Sequence, residues 1–161
     1  MSRLTAYGLS LDVPPGWEGK AFRHEHGEPT VHVASFRLPR CDGEFGTHAT
    51  AVMPDNGLFL ALTEYRVTGQ ELEAGIFARR TPRRLRPELL SPHTLLRPIA
   101  GQRGVQRFFS TEGRAFCAYV VAGRHGARHL SAANEVLTSL EIDRTPEHYA
   151  AALPAASTAR T

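Results

Sequence analysis

The sequence predicts a single α+β domain with a mainly antiparallel sheet of six to eight strands and a C-terminal helix packed on one face. Two observations carry this prediction. Runs of alternating apolar and polar residues, ended by proline or glycine, fill much of the first two thirds of the chain and are typical of short strands. Near the C-terminal end, apolar residues recur at the spacing of an amphipathic helix.

Length and composition limit the class of protein. The chain has 161 residues, of which 42% are hydrophobic and 22% charged. This length suits one compact domain, and the composition excludes a disordered chain, a collagen-like repeat and a coiled coil.

No apolar run approaches the length of about 18 residues that marks a transmembrane helix, so we expect no membrane insertion. Residues 1–8 are too short and too mixed for the apolar part of a signal peptide, and we expect a cytoplasmic protein.

Three strands are predicted before residue 40. Residues 9–13 alternate between apolar and polar side chains and end at a Pro-Pro-Gly sequence, which removes backbone donors and permits a turn. A second extended stretch covers residues 17–23, and a third covers residues 30–38.

The next predicted element is a hairpin. Residues 47–53 and 58–67 are two β-rich runs joined through Pro54-Asp55-Asn56-Gly57, and Asn-Gly is a strong hairpin signal because both residues tolerate positive φ. Residues 58–62 are apolar without alternation, which predicts a central strand covered on both faces.

Regular structure is predicted to be sparse over residues 68–102, because four prolines interrupt the segment. We expect at most a turn of helix near residues 71–77 or 87–90 and a short strand near residues 93–97. A second hairpin follows, with strands at 105–111 and 115–122 around Glu112-Gly113.

One helix is predicted at residues 127–140, where Leu130, Ala133, Leu137 and Leu140 form an apolar stripe. Beyond it the chain is rich in Ala, Pro, Ser and Thr. We therefore expect a single domain over residues 1–145 and a mobile tail over residues 146–161.

Two segments resemble a known fold family. Residues 9–17, Leu-Ser-Leu-Asp-Val-Pro-Pro-Gly-Trp, and residues 134–142, Asn-Glu-Val-Leu-Thr-Ser-Leu-Glu-Ile, are similar to the opening and closing segments of PsbP-like and Mog-type proteins. The resemblance implies an antiparallel sheet sandwiched by helices. It also implies a role without catalysis, since members such as extrinsic photosystem subunits and a nuclear-transport GTPase partner share an architecture rather than a reaction. No binding residue of that family maps onto a matching motif in this chain.

A cluster of arginines is the main candidate binding site. Arg79, Arg80, Arg83, Arg84 and Arg86 lie within eight positions with no acid among them. Residues 79–107 hold eight arginines and one acid, a formal charge of +7, whereas the rest of the chain has 11 basic and 15 acidic residues, a charge of −4. The cluster could bind an anionic partner, or its arginines could pair with acids elsewhere in the fold.

Metal and cofactor sites have little support. His24 and His26 would share one side of a strand, and His125 and His129 one face of a helix, yet neither pair has a third ligand at recognisable spacing. The acidic, glycine-bearing loop at residues 42–47 is interpreted as an ordinary surface loop rather than a cation site. We predict no metal and no cofactor.

Catalytic residues are not predicted either. Cys41 and Cys117 lie far apart without a motif that demands a disulfide, so we expect free thiols. Cys117 belongs to an apolar strand and is expected to pack in the core rather than act as a nucleophile. An enzyme or small-ligand domain would need a pocket lined by His32, Glu64 or Tyr65.

These patterns favour a non-catalytic protein-binding or adaptor module, as in a bacterial accessory protein, with a protein as its partner. The alternative is an electrostatic binder of nucleic acid or another polyanion through the arginine cluster. The oligomeric state stays open.

Overall fold

The computed structural model describes residues 1–144. Its strands are β1 (Ser2–Ala6), β2 (Leu9–Val13), β3 (Glu18–Phe22), β4 (Thr30–Ala34), β5 (Leu58–Tyr65), β6 (Arg103–Thr111), β7 (Arg114–Ala122) and β8 (Glu141–Ile142). Its α-helices are α1 (Thr47–Val52), α2 (Gly69–Glu73) and α3 (Leu130–Ser139). Short 3-10 turns lie at Gly75–Phe77, Pro87–Leu89, Pro92–Thr94 and Gly126–His129.

The strands form two antiparallel sheets. The small sheet has the order β1-β2-β8, and the large sheet has the order β3-β4-β5-β7-β6. The prediction of an α+β fold with antiparallel strands and a C-terminal helix is therefore confirmed, although the eight strands are divided between two sheets instead of forming one. The predicted tail at residues 146–161 lies outside the described residues.

The central strands of the large sheet are buried on both faces, as the unbroken apolar runs predict, whereas the edge strands β3 and β6 are partly exposed. On one face, Leu58, Leu60 and Leu62 of β5 belong to a core cluster that also contains apolar residues of β2 and α3. On the other face, Phe59 and Ala61 join a second cluster that covers α1 and the segment after β4. The predicted apolar stripe of the helix, namely Leu130, Ala133, Leu137 and Leu140, is at most 4% exposed and belongs to the first cluster.

Two tight turns have the same backbone signature. Glu112 and Gly113 between β6 and β7 have φ of 52° and 72°, and Tyr7 and Gly8 between β1 and β2 have φ of 54° and 73°. Two successive positive φ values are typical of type I′ hairpins. The first turn confirms the predicted hairpin. β1 is an additional strand that the sequence does not predict, because Tyr-Gly is a weak signal for such a turn.

The predicted strand at residues 47–53 is wrong, because Thr47–Val52 is helix α1. The carboxylate of Asp42 accepts hydrogen bonds from the backbone N–H groups of His48 at 2.9 Å and Ala49 at 2.8 Å. These N–H groups at the helix start have no partner within the helix, so an acceptor from outside it stabilises the first turn. Asp42 therefore serves the fold, and the Asn56-Gly57 turn connects a helix to β5.

The predicted strand at residues 93–97 is also wrong. A 3-10 turn occupies Pro92–Thr94, and the pairing with β6 is reduced to a single bridge between Ser91 and Gly104. Proline fixes φ and lacks the N–H that a strand ladder needs. Short helical pieces at Gly69–Glu73, Gly75–Phe77 and Pro87–Leu89 confirm the expectation of brief turns of helix in the same segment. Among the helices of residues 1–144, none is long and apolar enough to span a bilayer.

A buried ion pair links the two sheets. Arg114 of β7 and Glu64 of β5 are 4% and 8% exposed, and the guanidinium donates two hydrogen bonds to the carboxylate, at 2.9 and 2.7 Å. The same guanidinium donates to the carbonyls of Tyr7, Gly8 and Asp143. Arg114 thus holds the turn of the small sheet and the residue after β8 against the large sheet.

Candidate functional site

A surface groove runs between α3 and the segment of residues 83–87, which we call the strap. The groove has a volume of about 680 Å³. Its charged lining consists of Arg83, Arg84, Arg86, Arg128 and Glu135, and Leu85, Pro87, Ala127 and Leu130 contribute apolar surface. We call it the basic groove, since four guanidinium groups face one carboxylate.

The strap is held in place by hydrogen bonds to α3. The side-chain oxygen of Asn134 accepts from the N–H of Leu85 at 2.7 Å, and its NH₂ group donates to the carbonyl of Leu85 at 2.9 Å. The hydroxyl of Thr138 donates to the carbonyl of Arg83 at 3.3 Å. Leu85 itself is only 3% exposed and belongs to the core. One wall of the groove is therefore fixed to the other by packing and by hydrogen bonds from side chains of α3 to the backbone of the strap.

The five predicted arginines have different surroundings. Arg83 donates from Nη1 to the carbonyls of Leu137, Thr138 and Leu140, at 3.1, 3.0 and 3.2 Å. Carbonyls at a helix C-terminus have no intrahelical donor and carry partial negative charge, so this guanidinium stabilises the end of α3. Its role is partly structural, which the spacing of arginines does not reveal.

The other four arginines have exposed side chains. Arg84 and Arg86 line the basic groove, while Arg79 and Arg80 precede the strap and lie outside the groove lining. Within residues 1–144, none of the five forms an ion pair. The structure thus brings three of the five predicted residues together and leaves their charges without carboxylate partners in the described part of the chain.

Sequence reasoning missed Arg128 and Asn134, which complete the groove. Positions 128, 131, 135 and 138 are spaced by three, four and three, so they share the face opposite the apolar stripe of the predicted helix. That periodicity could have placed Arg128 on an exposed helix face. It could not have shown that the strap lies beside that face.

The histidine pairs do not have the geometry that the metal hypothesis required. β3 ends at Phe22, so His24 and His26 lie in the following turn rather than on one side of a strand. His125 precedes the 3-10 turn at Gly126–His129, so it does not share a helix face with His129. Within the described residues, no group of three or more His, Cys, Asp or Glu side chains is placed to hold a metal ion.

The three residues expected around a ligand pocket have different surroundings. His32 lines a cavity beside β3. Glu64 is committed to the ion pair with Arg114, and Tyr65 lies in an aromatic cluster with Phe77 and Phe108. One of the three residues therefore lines a cavity of the kind that a small-ligand domain needs.

Both cysteines are free, as predicted. Cys41 is exposed, whereas Cys117 is fully buried in β7, and burial raises the pKa of its thiol to about 12. A thiol with so high a pKa is almost entirely protonated near neutral pH and is a poor nucleophile. Cys117 therefore acts as a small apolar side chain of the core.

The fold and the groove define an α+β protein with a basic surface groove. No protein-family model matches the chain, and comparisons with curated proteins and with solved structures gave no match. The function is accordingly inferred from the geometry of the groove.

Proposed function

We propose that this protein is a non-catalytic binding module that holds a short acidic segment of a protein partner in the basic groove. The observation that carries the proposal is the set of four arginines along the groove, which form no ion pair within residues 1–144. A guanidinium group presents its donors in a planar fork that matches a carboxylate, so a row of such groups favours Asp and Glu side chains.

The dimensions of the groove suit a short peptide. Residues 127–138 span about 16 Å at the rise of a helix, which accommodates about five residues of an extended chain. Apolar surface from Leu85, Pro87 and Ala127 would contact the aliphatic parts of the same segment. The proposal takes α3 to be packed against the large sheet, and the burial of its apolar stripe supports this placement.

A nucleic-acid partner is the second candidate, because the same charges attract phosphates. Two features favour a protein segment instead. None of the side chains that line the groove is aromatic, so bases would have no platform for stacking. Glu135 also lies in the lining, where its carboxylate could accept a hydrogen bond from a peptide N–H, a donor that the phosphate backbone of DNA lacks.

The resemblance to PsbP-like and Mog-type proteins remains part of the proposal and fits a role in binding. The two segments on which it rests lie close together in the fold, because Leu9 of β2 pairs with Ile142 of β8. We likewise propose a cytoplasmic location and a bacterial source.

Fluorescence anisotropy with a labelled peptide of sequence Glu-Leu-Glu-Asp-Leu-Glu tests the proposal. The triple variant R84A/R86A/R128A removes three groove charges and leaves the structural Arg83 in place. The matched control R37A/R97A/R124A removes three exposed arginines that lie outside the groove and form no ion pair within the described residues. Both variants change the net charge equally, so long-range attraction falls equally in the two.

We expect the groove variant to weaken peptide binding by at least tenfold relative to the control, since each charge-assisted hydrogen bond contributes about 1.5–3 kcal/mol. Binding should also weaken with added salt. Equal losses in both triple variants would show that only net charge matters. Selective loss of DNA binding in the groove variant, without measurable binding of the peptide by the wild type, would favour the second candidate.

A further inference from the structure

A second cavity lies beside the edge strand β3 and is separate from the basic groove. Its volume is about 490 Å³, within the range of small-molecule sites. Leu4, Ala21, Phe22, Leu38 and Pro39 supply apolar walls, and the polar lining includes Lys20, His32, Arg40 and Cys41. We call it the β3 cavity.

His32 is an unusual wall residue because it is only 3% exposed. Its ring is held edge-on between Phe22 and Phe59, with centroid distances of 4.9 Å on each side. Nε2 lies 2.8 Å from the carbonyl oxygen of Glu44. A carbonyl oxygen only accepts, so Nε2 must carry the hydrogen.

The remaining ring nitrogen of His32 is an unused acceptor. Burial lowers the pKa of His32 below its ordinary value of 6.5, against the opposing effect of the hydrogen bond to Glu44, so the ring is neutral near pH 7. In that state Nδ1 bears a lone pair, and it has no hydrogen-bond partner within residues 1–144. Among the described residues, the fully buried polar side-chain atoms without a partner are Thr30 Oγ1 and Gln102 Oε1, so Nδ1 of His32 keeps some access to solvent. A ligand in the cavity that His32 lines can therefore replace water as its hydrogen-bond donor.

The charges around the β3 cavity are predominantly positive. Lys20 donates to the carbonyl of Pro39 at 2.8 Å and lies 3.7 Å from Glu18. Arg40 is exposed and forms no ion pair in the described part of the chain. The carboxylate of Asp42 accepts from the N–H groups of Gly43, His48 and Ala49, so it is already committed to α1.

We propose that the β3 cavity binds a small amphipathic anion, with a carboxylate facing Arg40 and Lys20, an apolar body against the walls, and a hydroxyl donating to Nδ1 of His32. The cavity matches this ligand class in each part. The apolar walls favour a ligand with an apolar body over a sugar, and Lys20, Arg23 and Arg40 outnumber the one lining carboxylate, Asp42, which favours a negative charge on the ligand.

Titration calorimetry with three related compounds tests the assignment. 4-Hydroxyphenylacetate carries all three features, 4-hydroxyphenylethanol lacks the carboxylate, and phenylacetate lacks the hydroxyl. We expect 4-hydroxyphenylacetate to bind tightest and the loss of the carboxylate to weaken binding about tenfold, the effect of losing a charge-assisted hydrogen bond. Arg40→Gln should remove that advantage, whereas the exposed control Arg37→Gln should retain it.

Protection of Cys41 provides a readout on the unmodified protein. This thiol is exposed and lines the β3 cavity, whereas Cys117 is buried, so 4-hydroxyphenylacetate should slow alkylation of Cys41. Binding should also shift the ¹⁵N resonance of Nδ1 of His32, a measurement that needs no variant of this core residue.

Absence of saturable binding at millimolar concentration would overturn the proposal, as would equal affinity for all three compounds or equal effects of the two arginine variants. The triple variant of the basic groove should bind 4-hydroxyphenylacetate as the wild type does. The two proposals therefore fail independently of each other.

Discussion

Replacing Arg114 with methionine should destabilise the folded state by about 3–5 kcal/mol, the usual cost of removing one partner from a buried ion pair. The cost arises because Glu64, which is only 8% exposed, loses the two hydrogen bonds that compensate its charge. The carbonyls of Tyr7 and Asp143 also lose a donor, at 2.9 and 3.1 Å.

Urea denaturation measures this loss through the fluorescence of Trp17, the single tryptophan of the chain. With a slope of about 2 kcal/mol per M of urea, the midpoint should fall by about 1.5–2.5 M. Arg144→Met is the matched control. Arg144 pairs with Glu112 at 3.3 Å on the surface, where its side chain is 87% exposed, so its removal should cost less than about 1 kcal/mol.

The double variant E64L/R114M separates the two contributions. It removes the unpaired charge but still deprives the carbonyls of their donor, so we expect it to recover at least half of the loss, because an apolar pair can replace a buried ion pair at little cost. A double variant as unstable as Arg114→Met would refute this reasoning. The bonds to the carbonyls, rather than the buried charge of Glu64, would then account for the stability.

Three further predictions concern single residues. Gly46→Ala should destabilise the fold by about 2–5 kcal/mol in urea denaturation, because Gly46 has a φ of +70° and an added Cβ would overlap the buried ring of Phe59. The control Gly43→Ala should change stability by less than about 0.5 kcal/mol, because no atom lies within 4 Å of the added Cβ. With an aromatic disulfide reagent, Cys41 should react at once and Cys117 only after unfolding, and two equally fast thiols would contradict its burial. The pKa of His32 is lower in the folded state than in the unfolded state, so the stabilising effect of its neutral ring is complete above pH 6.5, and the free energy of unfolding should fall as the pH drops from 6.5 towards the folded pKa. The variant His32→Phe should lose less stability over that pH interval. An equal loss in the variant and the wild type would contradict this role of His32.

The central strands could be predicted because burial on both faces leaves a direct trace in the sequence. Residues 58–62 of β5 and 115–122 of β7 are apolar without alternation, and Glu112-Gly113 marks the turn before β7. Helix α1 could not be predicted in this way. Its residues Thr47–Val52 have the composition of a strand, and the acceptor that stabilises its first turn is the side chain of Asp42, outside the helix.

The candidate site was predictable in composition but not in shape. The arginine cluster is visible as a run of charge, yet the groove exists because Asn134 pairs with the backbone of Leu85, 49 positions earlier in the chain. The dual role of Arg83, which lines the groove and also binds the end of α3, depends on the same contact between distant segments. Pairings of this kind are set by tertiary packing and leave no local periodicity.

The pairing of β2 with β8 has a consequence for synthesis on the ribosome. The strands of the large sheet all precede residue 123, so that sheet can form while the last part of the chain is still inside the ribosomal tunnel. β8 emerges later, and until then Leu9, Leu11 and Val13 lack both their third strand and the cover of α3. During that interval the inner face of β2 and the facing side of the large sheet both stay open to solvent, so the core of the protein is completed only when the last described residues leave the tunnel.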